Sequence, residues 1–332
     1  MINLCIVGSG DVVRVRHAAI LKDLSKQIKV KSIVSTRQDA VEAIEKELGY
    51  KIQRFDTVDD AIKQDISAAL IAVTPSSTAD VATHLLRLGI PLYIEQPLAD
   101  DFITGAKLVE DIVDKQLPVV IGLNFQNQER YSHARSMVES CNHKDLTHVI
   151  VRDTLKRGDR TNMRTDDGLF NEHIVNIVSS IRAITGRQIE MVASCKKRIV
   201  GSISEYTIKG ALEGGVYLEV QFCVANTWSE DRYSIVFKDD DLKINHVFNH
   251  ETKKYTDTVE HWHGPDELKE VVTIKDAACG MRVCWEEFLD LIKTKAKEPS
   301  PTLLQALNDI QVREAVNLSR SKSVSIPIIK FI

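Results

Sequence analysis

No stretch of this 332-residue chain approaches the roughly 18 consecutive apolar residues of a membrane span. There is no long basic run either, and the net charge is −4, so neither a nucleic acid nor a membrane surface is expected as a partner. The six cysteines (Cys5, Cys141, Cys195, Cys223, Cys279, Cys284) contain no CxxC and no metal-type pairing. That usage suits a reduced, cytoplasmic protein with no bound metal. The opening MINLCIVGSG lacks a basic n-region and reads as a first strand, not a targeting signal. Internal repeats, low-complexity tracts and long linkers are absent as well. What is present is 43% hydrophobic residues over a length that suits two domains, each able to bury its own core.

The first part of the chain alternates strand and helix patterns. Ile2–Val7 is an apolar strand, followed by Gly8-Ser9-Gly10 and an amphipathic helix to about Lys22. This order is the context of a dinucleotide site. Glycines let the backbone approach a pyrophosphate, and the helix N-terminus presents donors and a positive dipole. Gly8, Ser9, Gly10 and Val12 are therefore candidate cofactor contacts, although Val13 occupies the third glycine position of the fingerprint. Val30–Val34 is the second strand. It ends in Ser35-Thr36-Arg37, with no acid before Asp39 to bind a ribose 2′-hydroxyl. Two hydroxyls and an arginine fit a 2′-phosphate better, which favours NADP over NAD; the alternative is a surface arginine without a role. A helix over Asp39–Leu48, a short strand near Lys51–Phe55 and a strand over Ile66–Val73 follow. Thr74-Pro75-Ser76-Ser77 comes next, with Ser77 expected to cap a helix to Leu88. A helix over 102–115 and a strand over 118–123 complete a doubly wound parallel sheet. Beyond Gln188 the pattern changes to period two, clearest in Gly215–Val224. The fold class is thus α/β plus α+β: a Rossmann domain over 1–121, then a domain of mostly antiparallel sheet faced by helices over 122–332.

The stretch around which the chain is organised is Tyr93–Asp100, YIEQPLAD. An apolar strand delivers Glu95, Gln96 and Pro97 to its carboxyl end, where open α/β sheets bind ligands. A Glu-Lys-Pro tripeptide at this place is the signature of the glucose-fructose oxidoreductase/inositol dehydrogenase/MocA (Gfo/Idh/MocA) family. The chain resembles that family over nearly its whole length, with Gln96 where the family has its catalytic lysine. Thr74, Pro75 and Ser76 resemble the family's Thr-Pro-Asn, and Gly122-Leu123-Asn124 its Gly-Phe-Asn, with Phe125 and Gln126 in place of an arginine pair. His17 falls one residue later than a histidine common in the family; it reads either as a helix-surface or packing residue or as a functional one. The resemblance implies cofactor contacts at Thr74, Pro75, Ser76, Glu95, Gln96 and Asn124.

In the second half, the family's Asp and His on one helix correspond, counted back from Gly186, to Glu172 and Asn176. His173 lies three residues before Asn176, hence on the same helix face. Gln96, Glu172, His173 and Asn176 are the candidate catalytic residues, with His173 able to exchange the proton that Gln96 and Asn176 cannot. The charged segment 156–165, with Arg157, Arg160 and Arg164, reads as a lid or as a solvated loop. His261 and His263 flank Trp262 in what reads as a surface loop, with no third metal ligand at fitting spacing.

Three functions remain open. The leading one is an NAD(P)-dependent oxidoreductase acting on the CH–OH group of a small-molecule substrate: a sugar, nucleotide-sugar or polyol. The second is a catalytically silent dinucleotide-binding sensor or regulator of the same fold. The third uses transient oxidation for elimination or epimerisation. A homodimer or homotetramer through the open face of the second sheet is implied by the resemblance.

Overall fold

The computed structural model describes residues 1–156, 165–225, 229–249, 254–274, 280–295, 300, 302–320 and 323–327. The chain divides into two units, 1–124 with 281–310 and 125–280 with 311–332. Arg157, Arg160 and Arg164 of the expected lid lie outside the described residues.

In the first unit six strands form one parallel sheet: β1 (Ile2–Val7), β2 (Ile28–Val34), β3 (Gln53–Phe55), β4 (Ala68–Ile71), β5 (Leu92–Glu95) and β6 (Val119–Gly122). Their order is β3-β2-β1-β4-β5-β6. Strands β4 and β6 are buried along their whole length, as parallel strands covered on both faces must be. Five helices connect them: α1 (Ala18–Asp23), α2 (Gln38–Leu48), α3 (Val58–Ile62), α4 (Pro75–Arg87) and α5 (Phe102–Lys115). Gly49, in the left-handed conformation, ends α2. Asp101 caps α5 by accepting the Thr104 amide. Helix α4 starts two residues before the expected Ser77. Pro75 takes the first helical position, where its missing N–H is no loss, and Thr74 becomes the N-cap.

The first unit also takes in residues that the period-two reading assigned to the second domain. With α6 (Glu129–Ser140) and α7 (Asp166–Thr185) lying between, the next helix is α8 (Met281–Thr294), and it packs on the Rossmann sheet. Trp285 stacks on Tyr93 of β5 at 4.5 Å, and Phe288 meets the same ring edge-on at 6.0 Å. All three side chains are fully buried. Helix α9 (Thr302–Leu318) gives 302–310 to this unit and 311–318 to the other. The break after 121 therefore falls at 124, and the first unit is discontinuous because the sheet recruits α8 to cover β5.

The second unit carries β7 (Leu146–Lys156), β8 (Ile189–Val200), β9 (Ile203–Leu212), β10 (Val216–Ala225), β11 (Glu230–Phe237), β12 (Asp240–Asn249), β13 (Lys254–His263), β14 (Glu267–Ile274) and β15 (Val324–Ser325). Their order is β14-β13-β12-β11-β7-β10-β9-β8-β15, antiparallel throughout except for β7 with β10. The alternation in β10 is as expected, with Val216, Leu218, Val220, Phe222 and Val224 buried and the residues between them half-exposed. The inward face packs with Tyr131, Ala134, Met137 and Val138 of α6 and the apolar stripe of α7. Three further strands, β8, β9 and β13, do not stand out in the sequence. The second half of β8 is basic and exposed, and β13 alternates among polar residues. His261 and His263 consequently belong to a strand, not to the loop expected for them.

Candidate functional site

The turn after β1 is held in a conformation only glycine tolerates. Gly8 has φ +106°, and an added Cβ would lie 2.2 Å from the Ala72 carbonyl oxygen. Ser9 Oγ lies 2.6 Å from Ser35 Oγ, and Ser35 Oγ accepts the Arg37 amide at 3.0 Å, so the turn is tied to the end of β2. Thr36 and Arg37 are exposed there, and the Arg37 guanidinium donates to Asp39 at 2.7 Å. Val12 packs on the unit's core. A single π-helical turn, Val13–His17, precedes α1 and takes in one residue more than an α-turn would.

That turn delivers His17 to the interior. Its side chain is fully buried, with Nε2 2.7 Å from Glu95 Oε1. On the other side Trp285 Nε1 donates to His17 Nδ1 at 3.0 Å. An indole N–H can only donate, so Nδ1 accepts. Nε2 then carries the hydrogen and donates it to the Glu95 carboxylate. His17 is neither a helix-surface residue nor mere packing: it fixes Glu95 at the carboxyl end of β5. Gly122 leaves the space that Glu95 and Tyr93 occupy, since an added Cβ would meet atoms of both at 3.0 Å. Next in the chain, Gln96 is half-buried and its amide donates to Asp309 Oδ2 at 3.2 Å; the Gln96–Pro97 peptide is cis. Thr74 and Ser76, with hydroxyls 3.3 Å apart, stand with Pro75 where β4 passes into α4. Asn124, buried, closes the unit after β6.

In the second unit, His173 points from α7 to β7, its Nε2 2.9 Å from Asp153 Oδ2. Phe125 meets the imidazole edge-on at 5.8 Å, and Phe222 lies at 5.3 Å. Burial disfavours the charged ring, but the charge and hydrogen bond of Asp153, aided by Asp231 and Glu172, prevail and raise its pKa. Glu172 is exposed, one position off the face that His173 uses, and Asn176 stands one turn on. The acid that contacts His173 is thus Asp153, which sequence spacing on α7 could not reveal. Its second oxygen, Oδ1, is buried and has no hydrogen-bond partner among the described residues.

Beside this pair, Arg130 of α6 bonds Asp231 at 2.9 Å and Asp257 at 3.3 Å, and Asp257 also bonds His246. Burial and the charge of Asp153 push the Asp231 carboxyl up to about 6, against the pull of Arg130. Sequence reasoning missed this network, whose members come from α6, β7, β11, β12 and β13.

Residues 2–123 match the Gfo/Idh/MocA profile, described as an oxidoreductase family with an NAD-binding Rossmann fold. That match lies within the first unit and spans its Rossmann strands β1 to β6. No curated protein matches the chain in sequence. Among solved structures, an oxidoreductase of Thermotoga maritima has TM-score 0.79 at 19% identity, over 98% of each chain. KijD10, a 3-ketoreductase of Actinomadura kijaniata solved with NADP, has TM-score 0.76 at 14% identity, over 96% of this chain and 97% of its own. A dehydrogenase of Chromobacterium violaceum has TM-score 0.75 at 12% identity, over 96% and 94%. At these identities the likeness is one of fold, and it extends over both units.

The residues present fit the NAD(P) of a Gfo/Idh/MocA domain. A Cβ added at Gly10 would meet nothing within 4 Å, which leaves the turn open for a pyrophosphate to approach the backbone. Gly8 and Ser9 would hold its near side, and Arg37 stands at the end of β2 to meet an adenosine ribose or its phosphate.

The His173–Asp153 pair generates a pH prediction. A histidine whose folded pKa is raised contributes stability that is fully present below its unfolded pKa, about 6.5, and is lost as pH rises through the folded value. Asp153→Asn removes the charge and leaves the burial, so the His173 pKa should drop below that of a free histidine. The difference in stability between wild type and variant should be largest on the acidic side and shrink with rising pH. NMR titration of the His173 ring and denaturation at a series of pH values measure both; an unmoved His173 titration would show that Asp153 does not set it.

Proposed function

We propose that this protein is an NAD(P)-dependent oxidoreductase that moves a hydride to or from the carbinol carbon of a sugar, nucleotide-sugar or other polyol. The observation that carries the reading is the Trp285–His17–Glu95 array, which holds a carboxylate rigidly where a Rossmann sheet meets its ligand. Such an investment suits a binding site more than a structural strand end. The π-turn supports it further. His17 stands one residue later than the histidine of the family it resembles, and the π-turn takes in one residue more before the ring that contacts Glu95. When bound, the cofactor supplies the hydride acceptor or donor; the protein's task is to orient the substrate and move its proton. Gln96, in the family's lysine position, has an amide that orients a substrate oxygen but cannot exchange a proton near neutrality. His173, with Asp153 behind it, takes the proton role in this reading, and general acid–base help of that kind contributes about 10²–10⁴-fold.

The cofactor is NADP in preference to NAD. The serine, threonine and arginine after β2 suit a 2′-phosphate, and Asp39 would share Arg37 with it. A structurally similar 3-ketoreductase was solved with NADP. Arg37→Ala should weaken NADP binding by about tenfold or more and NAD binding little, as measured by fluorescence titration. Equal losses, or a wild-type preference for NAD, would reverse the assignment.

His173→Asn should abolish turnover on a panel of sugars, followed at the reduced-nicotinamide band, while NADP affinity stays within a few-fold. Full activity in that variant would move the proton role elsewhere. One observation favours a second reading, a dinucleotide-binding regulator without turnover: the Gln96 amide is engaged by the buried Asp309. A wild type that binds NADP but turns nothing over, with activity appearing in Gln96→Lys, would make that reading the better one.

Assembly through the outer face of the second sheet completes the proposal. That face exposes Ile150, with Tyr217 half-exposed on the neighbouring strand. The expected species in sedimentation is a dimer or tetramer; a monomer at micromolar concentration would argue against it.

A further inference from the structure

Helix α6 is anchored at both ends by polar clusters. Its first turn holds Arg130 and the carboxylate network already described. Its last turn runs into Cys141, roughly 16 Å further along at 1.5 Å per residue. The thiol there meets side chains from two adjacent strands. Cys141 Sγ lies 3.8 Å from His261 Nε2 on β13, and the same nitrogen lies 3.0 Å from Asp240 Oδ1 at the start of β12. The three donor atoms all lie within 4.8 Å of one another. We propose that Cys141, Asp240 and His261 form a zinc site that fastens the end of α6 to the β12–β13 hairpin.

The donor set carries the choice of ion. One sulfur, one imidazole nitrogen and one carboxylate oxygen are the ligands of Zn²⁺, whereas Mg²⁺ and Ca²⁺ take oxygens. Bond lengths of about 2.0–2.3 Å in a tetrahedral shell put neighbouring ligand atoms roughly 3.3–3.6 Å apart. The observed 3.0 and 3.8 Å lie on either side of that range and Cys141 Sγ lies within 4.8 Å of Asp240 Oδ1, so closing on an ion needs side-chain shifts of up to about 1 Å. A hydrogen-bonded cluster explains the contacts less well. His261 Nε2 faces both the sulfur and the oxygen, and one ring nitrogen offers one hydrogen or one lone pair. Asp240 Oδ1 is also crowded by positive or donating groups, with His263 Nδ1 at 3.2 Å and Lys269 Nζ at 3.5 Å. His263, two residues along the strand from His261, can serve as fourth ligand; without it the fourth position is open to water. The pairing of β12 with β13 sets Asp240 opposite His263 and Leu242 opposite His261, so the geometry follows from sheet register. Binding releases the Cys141 thiol proton to solvent. The His261 side chain is 12% exposed and Asp240 21%, which leaves an entry path.

The test uses the full chain stripped with a chelator and titrated calorimetrically with Zn²⁺, then with Co²⁺ as a spectroscopic probe. One Zn²⁺ per chain is expected, together with a raised melting temperature and a thiolate-to-cobalt charge-transfer band. Cys141→Ser should remove that band and weaken Zn²⁺ by more than about tenfold, since even outer-shell losses cost that much. His261→Ala should weaken binding as strongly. Lys269→Ala removes a competing cation and should leave binding intact or tighter. Circular dichroism of Cys141→Ser checks the fold; should His261→Ala fail to fold, the cobalt band in wild type and its loss in the serine variant decide. No saturable Zn²⁺ uptake by wild type, or the same affinity and cobalt spectrum in Cys141→Ser, would overturn the site.

Discussion

The interior histidine His17 is the constraint on which the first unit's ligand end depends. It accepts from Trp285 and donates to Glu95, so a helix far along the chain dictates the hydrogen position on a ring beside β5. Each partner has one role it can play. The indole can only donate and the carboxylate only accept, and the imidazole between them is left with a single tautomer. Tyr93, stacked on Trp285 and edge-on to His17, closes the array on its apolar side. Exchange any member and the carboxylate at the sheet's carboxyl end loses its fixed direction.

The second unit solves a related problem with charges. Arg130, Asp231, Asp257, Asp153, His173 and His246 are largely removed from water, where unpaired ions are costly and paired ones are held tightly in place. The carboxylates outnumber the permanent cation; burial together with the charge of Asp153 pushes Asp231 up, and Asp153 draws His173 toward its charged form against its burial. Perturbation of this kind concentrates where proton transfer happens, although buried ion networks of purely structural purpose produce it too.

Much of the fold was legible in the sequence because its signals are local. Apolar runs marked most of the parallel strands, and Gly186 marked a helix end that is closed in left-handed geometry. Strands β8 and β13 escaped because their exposed residues are as polar as loops, and β9 because its buried face includes Ser204 and Gly210. The glycine turn and the Thr74–Pro75–Ser76 junction were visible for the same local reason. Asp153 behind His173, Trp285 behind His17 and Cys141 beside His261 were not. Each pair joins distant elements, and no periodicity within one element encodes its partner in another.

The interrupted first unit has a consequence for synthesis. Until residues 281–310 leave the ribosome, Tyr93 and the rest of the β5 face have no Trp285 or Phe288 to cover them. At about 5–20 residues per second, the nascent Rossmann sheet waits on the order of ten to thirty seconds for its missing helix. The second unit's continuous span is made during that interval. The protein therefore completes its first unit only after the long span of its second, and the aromatic face of β5 stays uncovered for that interval.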